Sequence, residues 1–166
     1  QPVVGGVDTP ALSWGERLDS GFSHVREIVG KVWPYILAGI ALGAGIRARG
    51  TLPERLMELV RLRVAFHNQC RSCMAIRYRS AVDAGVDEAL VCSLERPMDA
   101  PDLTPAERAA LAYADRFAND HLSIDEAMFA ELRRHYDDGE LVELFSWIAF
   151  CVGFGRLGAV LDMTEE

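Results

Sequence analysis

The sequence predicts an all-α fold, and three observations carry that prediction. Capping patterns of the Ser/Thr-x-x-Glu kind recur at Thr51-Leu52-Pro53-Glu54, Thr104-Pro105-Ala106-Glu107 and Ser123-Ile124-Asp125-Glu126. No segment shows the period-two alternation, bounded by turns, of a half-buried strand. The two longest apolar runs, 35–46 and 144–155, are the length of core helices and shorter than the roughly 20 residues that cross a bilayer. The chain has 166 residues, half of them hydrophobic, which is enough to close a core without staples.

Residues 1–30 read as an N-terminal arm followed by one short helix, because Gly5-Gly6, Gly15 and Gly21 interrupt scattered apolar residues. Residues 31–166 read as one helical domain. Pro34 can open a helix over 34–46, with Gly50 in the turn after it. The Thr51 box starts a helix to about Asn68 whose apolar positions Leu56, Leu59, Val60 and Val64 share a face, widened by Met57, Leu62 and Phe66. Little of it is polar, so it should lie between other helices. After a break at Asn68-Gln69, the next helix should run from Cys70 to Gly85, a residue suited to the left-handed position past a helix end. Asp87 caps a short helix to about Leu94, and 96–102, with Pro97 and Pro101, is a loop dividing the chain into two helical halves. The Thr104 box starts a helix to about Asn119, and the Ser123 box one that ends near Tyr136. Asp137-Asp138-Gly139 then turns into a long apolar helix over 140–161.

Charge and cysteine usage bound the function. A net charge of −8 argues against nucleic-acid binding, which needs a basic surface, and points to small molecules or proteins as partners. No membrane attachment is expected. Four cysteines are too few for a disulfide scaffold, which suits a reducing, cytoplasmic setting. The chain opens at Gln1 with no basic leader region, as a trimmed or partial sequence would. Cys92 and Cys151 stand alone in apolar runs and are expected to be buried structural thiols.

Cys70 and Cys73 are different. At CxxC spacing one thiol can attack a mixed disulfide or sulfenic acid on the other, the step on which thiol redox chemistry depends. Half a zinc site would show the same spacing, but Cys92, Cys151, His121 and His135 are too scattered to complete one. A helix start favours thiolate, and Arg71 and Arg77 would favour it too, Arg77 sharing a face with Cys73 on a continuous helix. Glu58 is a carboxylate inside an apolar helix, readable as a proton acceptor or as the partner of Arg61 three residues on. His67 could relay a proton to Cys70 or cap its own helix. Gly153-x-Gly155-x-x-Gly158 fits a dinucleotide motif in letters only, since no strand precedes it; close helix packing explains it and Gly39-x-x-x-Gly43 better. Arg156 should find an ion pair, within its helix or across a subunit boundary.

Glu58, eleven intervening residues and Cys70-x-x-Cys73, followed by the Gly85 turn, resemble the carboxymuconolactone decarboxylase and alkyl hydroperoxidase D superfamily. The segment from Leu103 to Leu111, then Phe129-Ala130-Glu131-Leu132, Leu141-Val142-Glu143-Leu144 and the Arg156 helix extend the resemblance over 32–163. It implies the alkyl hydroperoxidase D-like helical fold, trimers or hexamers, and a thiol-dependent peroxidase with no cofactor beyond an external thiol reductant. Its substrate would be a hydroperoxide, with Cys73 attacking the peroxide, Cys70 resolving and Glu58 assisting. The family pattern places a histidine four residues after the second cysteine; this chain has Arg77, which can hold a thiolate but cannot act as a base. A redox sensor or disulfide reductase is the alternative. A lactone decarboxylase is less suited, because that chemistry gives a dithiol no task.

Overall fold

In a computed structural model the described residues are 13–161, and among them the only regular elements are helices. The chain divides into two units, Gln1–Ala41 and Leu42–Glu166. The expected arm at 1–12 lies outside the described residues. In place of a short helix and a second one opening at Pro34 there is a single helix, α1 (Trp14–Arg49), which continues through Pro34. Proline removes one backbone donor there. In the first unit Trp14, Phe22, Trp33, Leu37 and Ile40 are exposed.

The second unit is built around α2 (Glu54–Asn68), whose Leu59, Val60, Leu62 and Val64 have no solvent exposure. Two helices enclose it: α6 (Pro105–Asn119), through Ala110, Leu111 and Ala114, and α8 (Asp138–Val160), through Leu144 and Ile148. Short helices fill the rest: α3 (Arg71–Ala75), α4 (Arg79–Asp83), α5 (Glu88–Ser93) and α7 (Glu126–Leu132). By length and composition α8 could cross a membrane, a longer element than the apolar run expected at 144–155. Its Leu141, Leu144, Trp147, Ile148, Cys151 and Val152 are nevertheless buried in the core of this unit.

The capping expectations divide. The Thr104 box forms in full: the Thr104 hydroxyl accepts from the Glu107 N–H, and the Glu107 carboxylate accepts from the Thr104 N–H. At Thr51 it does not form. The carboxylate of Glu143 on α8 takes the Thr51 N–H at 2.7 Å and the Leu52 N–H at 3.3 Å, while Glu54 pairs with Arg47. Thus a distant acid displaces the local cap. At the third box Ser123 is spent in a 3-10 turn, donating to the Asp120 carbonyl, so Asp125 caps α7 through the Met128 N–H. α7 ends at Leu132, short of Tyr136, and α8 starts two residues before Glu140, capped by an Asp137–Glu140 box. Asp87 caps α5 as its sequence predicts.

The helix expected from Cys70 to Gly85 is broken in two, with Ile76 and Tyr78 in extended conformation between α3 and α4. Arg61 supplies the reason. Its guanidinium donates to the Cys73 carbonyl at 2.7 Å and to the Ile76 carbonyl at 2.8 Å, the acceptors that a continuous helix would have satisfied from within. Gly85 does occupy the left-handed region, φ 89°, in a Schellman ending where the Val86 N–H reaches the Ala81 carbonyl.

Candidate functional site

The site begins where α2 ends. Gln69, a non-glycine residue at φ 55°, closes a second Schellman turn: its N–H bonds the Phe66 carbonyl and the Cys70 N–H bonds that of Ala65. This reversal sets Cys70 at the N-cap of α3, one turn before Cys73, and the two are joined as a disulfide with Cα atoms 5.2 Å apart. The two sulfurs are not equivalent. Cys70 is 1% exposed and its Sγ accepts the Cys73 N–H at 3.3 Å, with the Ser72 hydroxyl at 3.5 Å. Cys73 is partly exposed and lines a cleft.

That cleft has a volume of about 160 Å³, and its walls are Ile76, Tyr78, Trp147, Phe150, Cys151 and Phe154, with Arg61 and Asn68 among its polar lining. Gly155 of α8 is part of its lining, and Gly158 packs beside the disulfide. A Cβ on Gly155 would overlap the Asn68 amide, and one on Gly158 would lie 3.4 Å from Cys70 Sγ and 3.9 Å from Cys73 Sγ. Close packing is therefore the office of Gly155 and Gly158, whereas a Cβ on Gly153, the first glycine of the motif, would meet open space. Gly43 faces the ring of Phe150, leaving no space for a Cβ.

Glu58 has no solvent exposure, and both its oxygens accept from Arg61 at 2.7 Å. Of the two sequence readings of this acid, the ion pair is the one that forms. Burial works against the Arg61 charge, but the hydrogen bond and charge of Glu58 outweigh it and hold the guanidinium above its ordinary pKa. The ring of Tyr78 lies under two guanidinium groups, Arg47 at 4.6 Å and Arg61 at 5.1 Å from its centre.

Arg77 and His67 face other partners. With the helix broken after Ala75, Arg77 no longer shares a helical face with Cys73; it forks onto Glu88 at 2.7 and 3.2 Å and donates to the Met74 and Ile76 carbonyls. The Glu88 carboxyl is lowered by that hydrogen bond. His67 bonds Asp115 at 2.7 Å and Asn119 at 3.1 Å on α6, beside the Arg63–Asp115 pair. It is neither the relay to Cys70 nor the simple helix cap that its position suggested.

The lone cysteines also separate. Cys151 is buried as expected, and burial pushes its thiol up to about 12; Cys92 is exposed, because α5 turns that position outward while Leu90 and Val91 face the core. Arg156 makes a hydrogen bond rather than the expected ion pair, donating to the Ala118 carbonyl at the end of α6. Sequence reasoning missed Asn68, Tyr78, Trp147 and Cys151 as neighbours of the dithiol. Only Asn68, a polar residue ending an apolar helix two positions before a cysteine, carried a local signal.

The site is thus a CxxC disulfide that opens on a cleft of an all-α domain, one helix away from a buried acid. Residues 38–116 match the model of the Carboxymuconolactone decarboxylase family, and this segment holds Glu58 and both cysteines. An uncharacterized protein of Mycobacterium tuberculosis, present in strains CDC 1551 and H37Rv, is 43% identical over 89 residues, covering 52% of this chain. The chain spans 31% of the length of those relatives. Among solved structures, the alkylhydroperoxidase AhpD core of an uncharacterized peroxidase-related protein from Ralstonia eutropha JMP134 superposes with a TM-score of 0.73 at 19% identity. The match covers 84% of this chain and 74% of that one, and it shows the fold. The debrominase Bmp8 matches at a TM-score of 0.67 and 26% identity, over 83% of this chain and 74% of its own.

Proposed function

We propose that this chain is a thiol-dependent peroxidase that reduces hydroperoxides through a Cys70/Cys73 dithiol–disulfide cycle. The observation that carries the reading is the asymmetry of the pair: Cys73 meets the cleft, while Cys70 lies buried behind it. In the reduced protein the Cys73 thiolate attacks the terminal oxygen of ROOH. The O–O bond breaks, the alkoxide takes up the proton that the thiol released, and Cys73 becomes a sulfenic acid. Cys70 then attacks that sulfur and expels water, giving the disulfide present in this structure. An external dithiol restores the pair by attacking the accessible Cys73 Sγ. Cys70 leaves as thiolate, stabilised by the Cys73 N–H and the Ser72 hydroxyl.

In this reading the arginine beside the reacting cysteine is Arg61, not Arg77. Arg61 fixes the Cys73 carbonyl while Glu58 fixes the guanidinium, so the acid is a positioning residue. The likeness in fold to the Ralstonia eutropha protein, described as peroxidase-related, supports the reading. Assembly of several copies is part of the proposal and rests on the family resemblance alone.

The test is steady-state hydroperoxide consumption with a dithiol donor, using protein far below stoichiometry. Cys73→Ser should abolish turnover, and Cys70→Ser should leave a trapped sulfenic acid at Cys73 by mass spectrometry. Equal residual turnover in both variants overturns the assignment, and a single stoichiometric oxidation that stops identifies a sensor instead.

A further inference from the structure

Asn68 ends α2 with 7% of its surface exposed, among the lining of the cleft that holds Cys73. Its Nδ2 donates to the Cys151 carbonyl at 3.0 Å and lies 3.4 Å from that of Val152, both on α8. Those two carbonyls can only receive a donor, so they fix which end of the amide is nitrogen. Gly155 packs against the same nitrogen, so the group is held in place by backbone on one side. The other end, Oδ1, is buried and accepts no hydrogen bond. Buried carbonyl oxygens in native proteins seldom go without a donor, and one left so at a cleft calls for a donor from outside the chain.

The rest of the lining narrows what that ligand can be. The Trp147 N–H is used on the Met57 carbonyl, and Arg61 is committed to Glu58, Cys73 and Ile76. Burial keeps the Cys151 thiol neutral. The walls therefore offer apolar, mostly aromatic surface edged by the Tyr78 hydroxyl, and Asn68 Oδ1 is the buried acceptor among them that is left without a donor.

Resting on the peroxidase reading, we propose that Asn68 Oδ1 accepts the O–H of an organic hydroperoxide whose apolar group, aromatic or compactly branched, packs on Trp147, Phe150 and Phe154. This contact presents to Cys73 the oxygen that must be attacked. In R–O–O–H the hydrogen sits on the terminal oxygen; once the thiolate has attacked and RO has left with the electron pair and a proton, that oxygen and its hydrogen are the Cys73 sulfenic acid. Asn68 thus holds the same hydrogen before and after the O–O bond breaks. It orients the substrate and takes no proton itself, which makes it a positioning and specificity residue.

Two measurements test this. In the disulfide form, binding of benzyl alcohol and of ethylbenzene, equal in size and differing in the O–H, is compared by ligand-detected NMR after correction for each compound's hydrocarbon–water partition. Wild type should favour the alcohol about fivefold, the range of one net hydrogen bond, and Asn68→Leu should lose that preference. In the reduced form, Asn68→Leu should slow dithiol oxidation by cumene hydroperoxide about tenfold or more. Its oxidation by diamide, which offers no O–H, should be unchanged. No alcohol preference in wild type overturns the proposal even if the variant fails to fold, and so does equal slowing with both oxidants, which marks a merely structural role. If wild type shows the preference but does not reduce hydroperoxides catalytically, the peroxidase reading fails while Asn68 stands as a hydroxyl acceptor.

Discussion

Arg61 holds both oxygens of Glu58 at 2.7 Å within one turn of α2, and the remainder of the same guanidinium reaches across to the Cys73 and Ile76 carbonyls. A buried pair of this kind is costly to halve, because the partner left behind is an unpaired charge. Glu58→Leu and Arg61→Met should each lower stability by about 3–5 kcal/mol. Replacing both, as Glu58→Leu with Arg61→Met, should cost less than the two single changes together. Urea unfolding of the four proteins gives the coupling energy; additive losses would show that the pair does not act as a unit.

Arg77 makes the opposite prediction. Its partner Glu88 is mostly exposed, and surface pairs contribute roughly 0–1 kcal/mol. Arg77→Ala should therefore reduce stability by no more than about 1 kcal/mol. Because its guanidinium is committed to Glu88, Met74 and Ile76, the substitution should leave the Cys73 thiol's alkylation-versus-pH midpoint in place. A clear upward move of that midpoint would return Arg77 to the thiolate's surroundings, where its sequence position first put it.

The contrast between these two arginines shows what the sequence made legible. Local signals were read correctly where local chemistry decides: the Thr104 box, the Asp87 cap, Gly85 past the end of α4, and the i, i+3 spacing of Glu58 and Arg61. They failed where a residue far along the chain competes. Glu143 reaches Thr51 across 92 positions and takes the backbone donors of the expected cap. Arg61 takes two carbonyls from a helix that begins ten residues later, and so separates Cys73 from Arg77. The dithiol was visible from its spacing alone. Its cleft was not, because Trp147, Cys151 and Phe154 lie on α8 and meet Cys73 only in three dimensions.

Cys92 and Cys151 should be told apart chemically. At pH 8, iodoacetamide should label the exposed Cys92 in the native protein and spare Cys151, whose thiol burial raises to about 12. The same shift has a sign in stability. Since the folded-state value lies above the ordinary 9.0, the contribution is intact below pH 9 and is lost as pH rises toward 12, the unfolded chain giving up its proton first. Comparing wild type with Cys151→Ala isolates it from other alkaline titrations. Their stability difference should shift against wild type above pH 9 by up to about 1.4 kcal/mol per pH unit. A difference that stays constant between pH 8 and 10.5 would mean that the thiol is not held neutral by the fold.

Gly155 and Gly158 of α8 should respond differently to one added methyl. At Gly158 a Cβ meets Cys70 Sγ at 3.4 Å and Cys73 Sγ at 3.9 Å, ordinary contact distances, so Gly158→Ala fits and its helical position gains about 0.5–1 kcal/mol from the better propensity of alanine. At Gly155 the methyl would overlap Asn68 Nδ2, so the amide must leave the Cys151 carbonyl or α8 must move off α2. Gly155→Ala should therefore cost about 1–3 kcal/mol, the range of an overpacked core. Thermal melts of the oxidised proteins would rank them, Gly158→Ala at or above wild type and Gly155→Ala below it. The same order should extend to the redox site. Displacing Asn68 should slow hydroperoxide reaction in Gly155→Ala beyond what its stability loss explains, whereas Gly158→Ala, which leaves Asn68 untouched, should react like wild type.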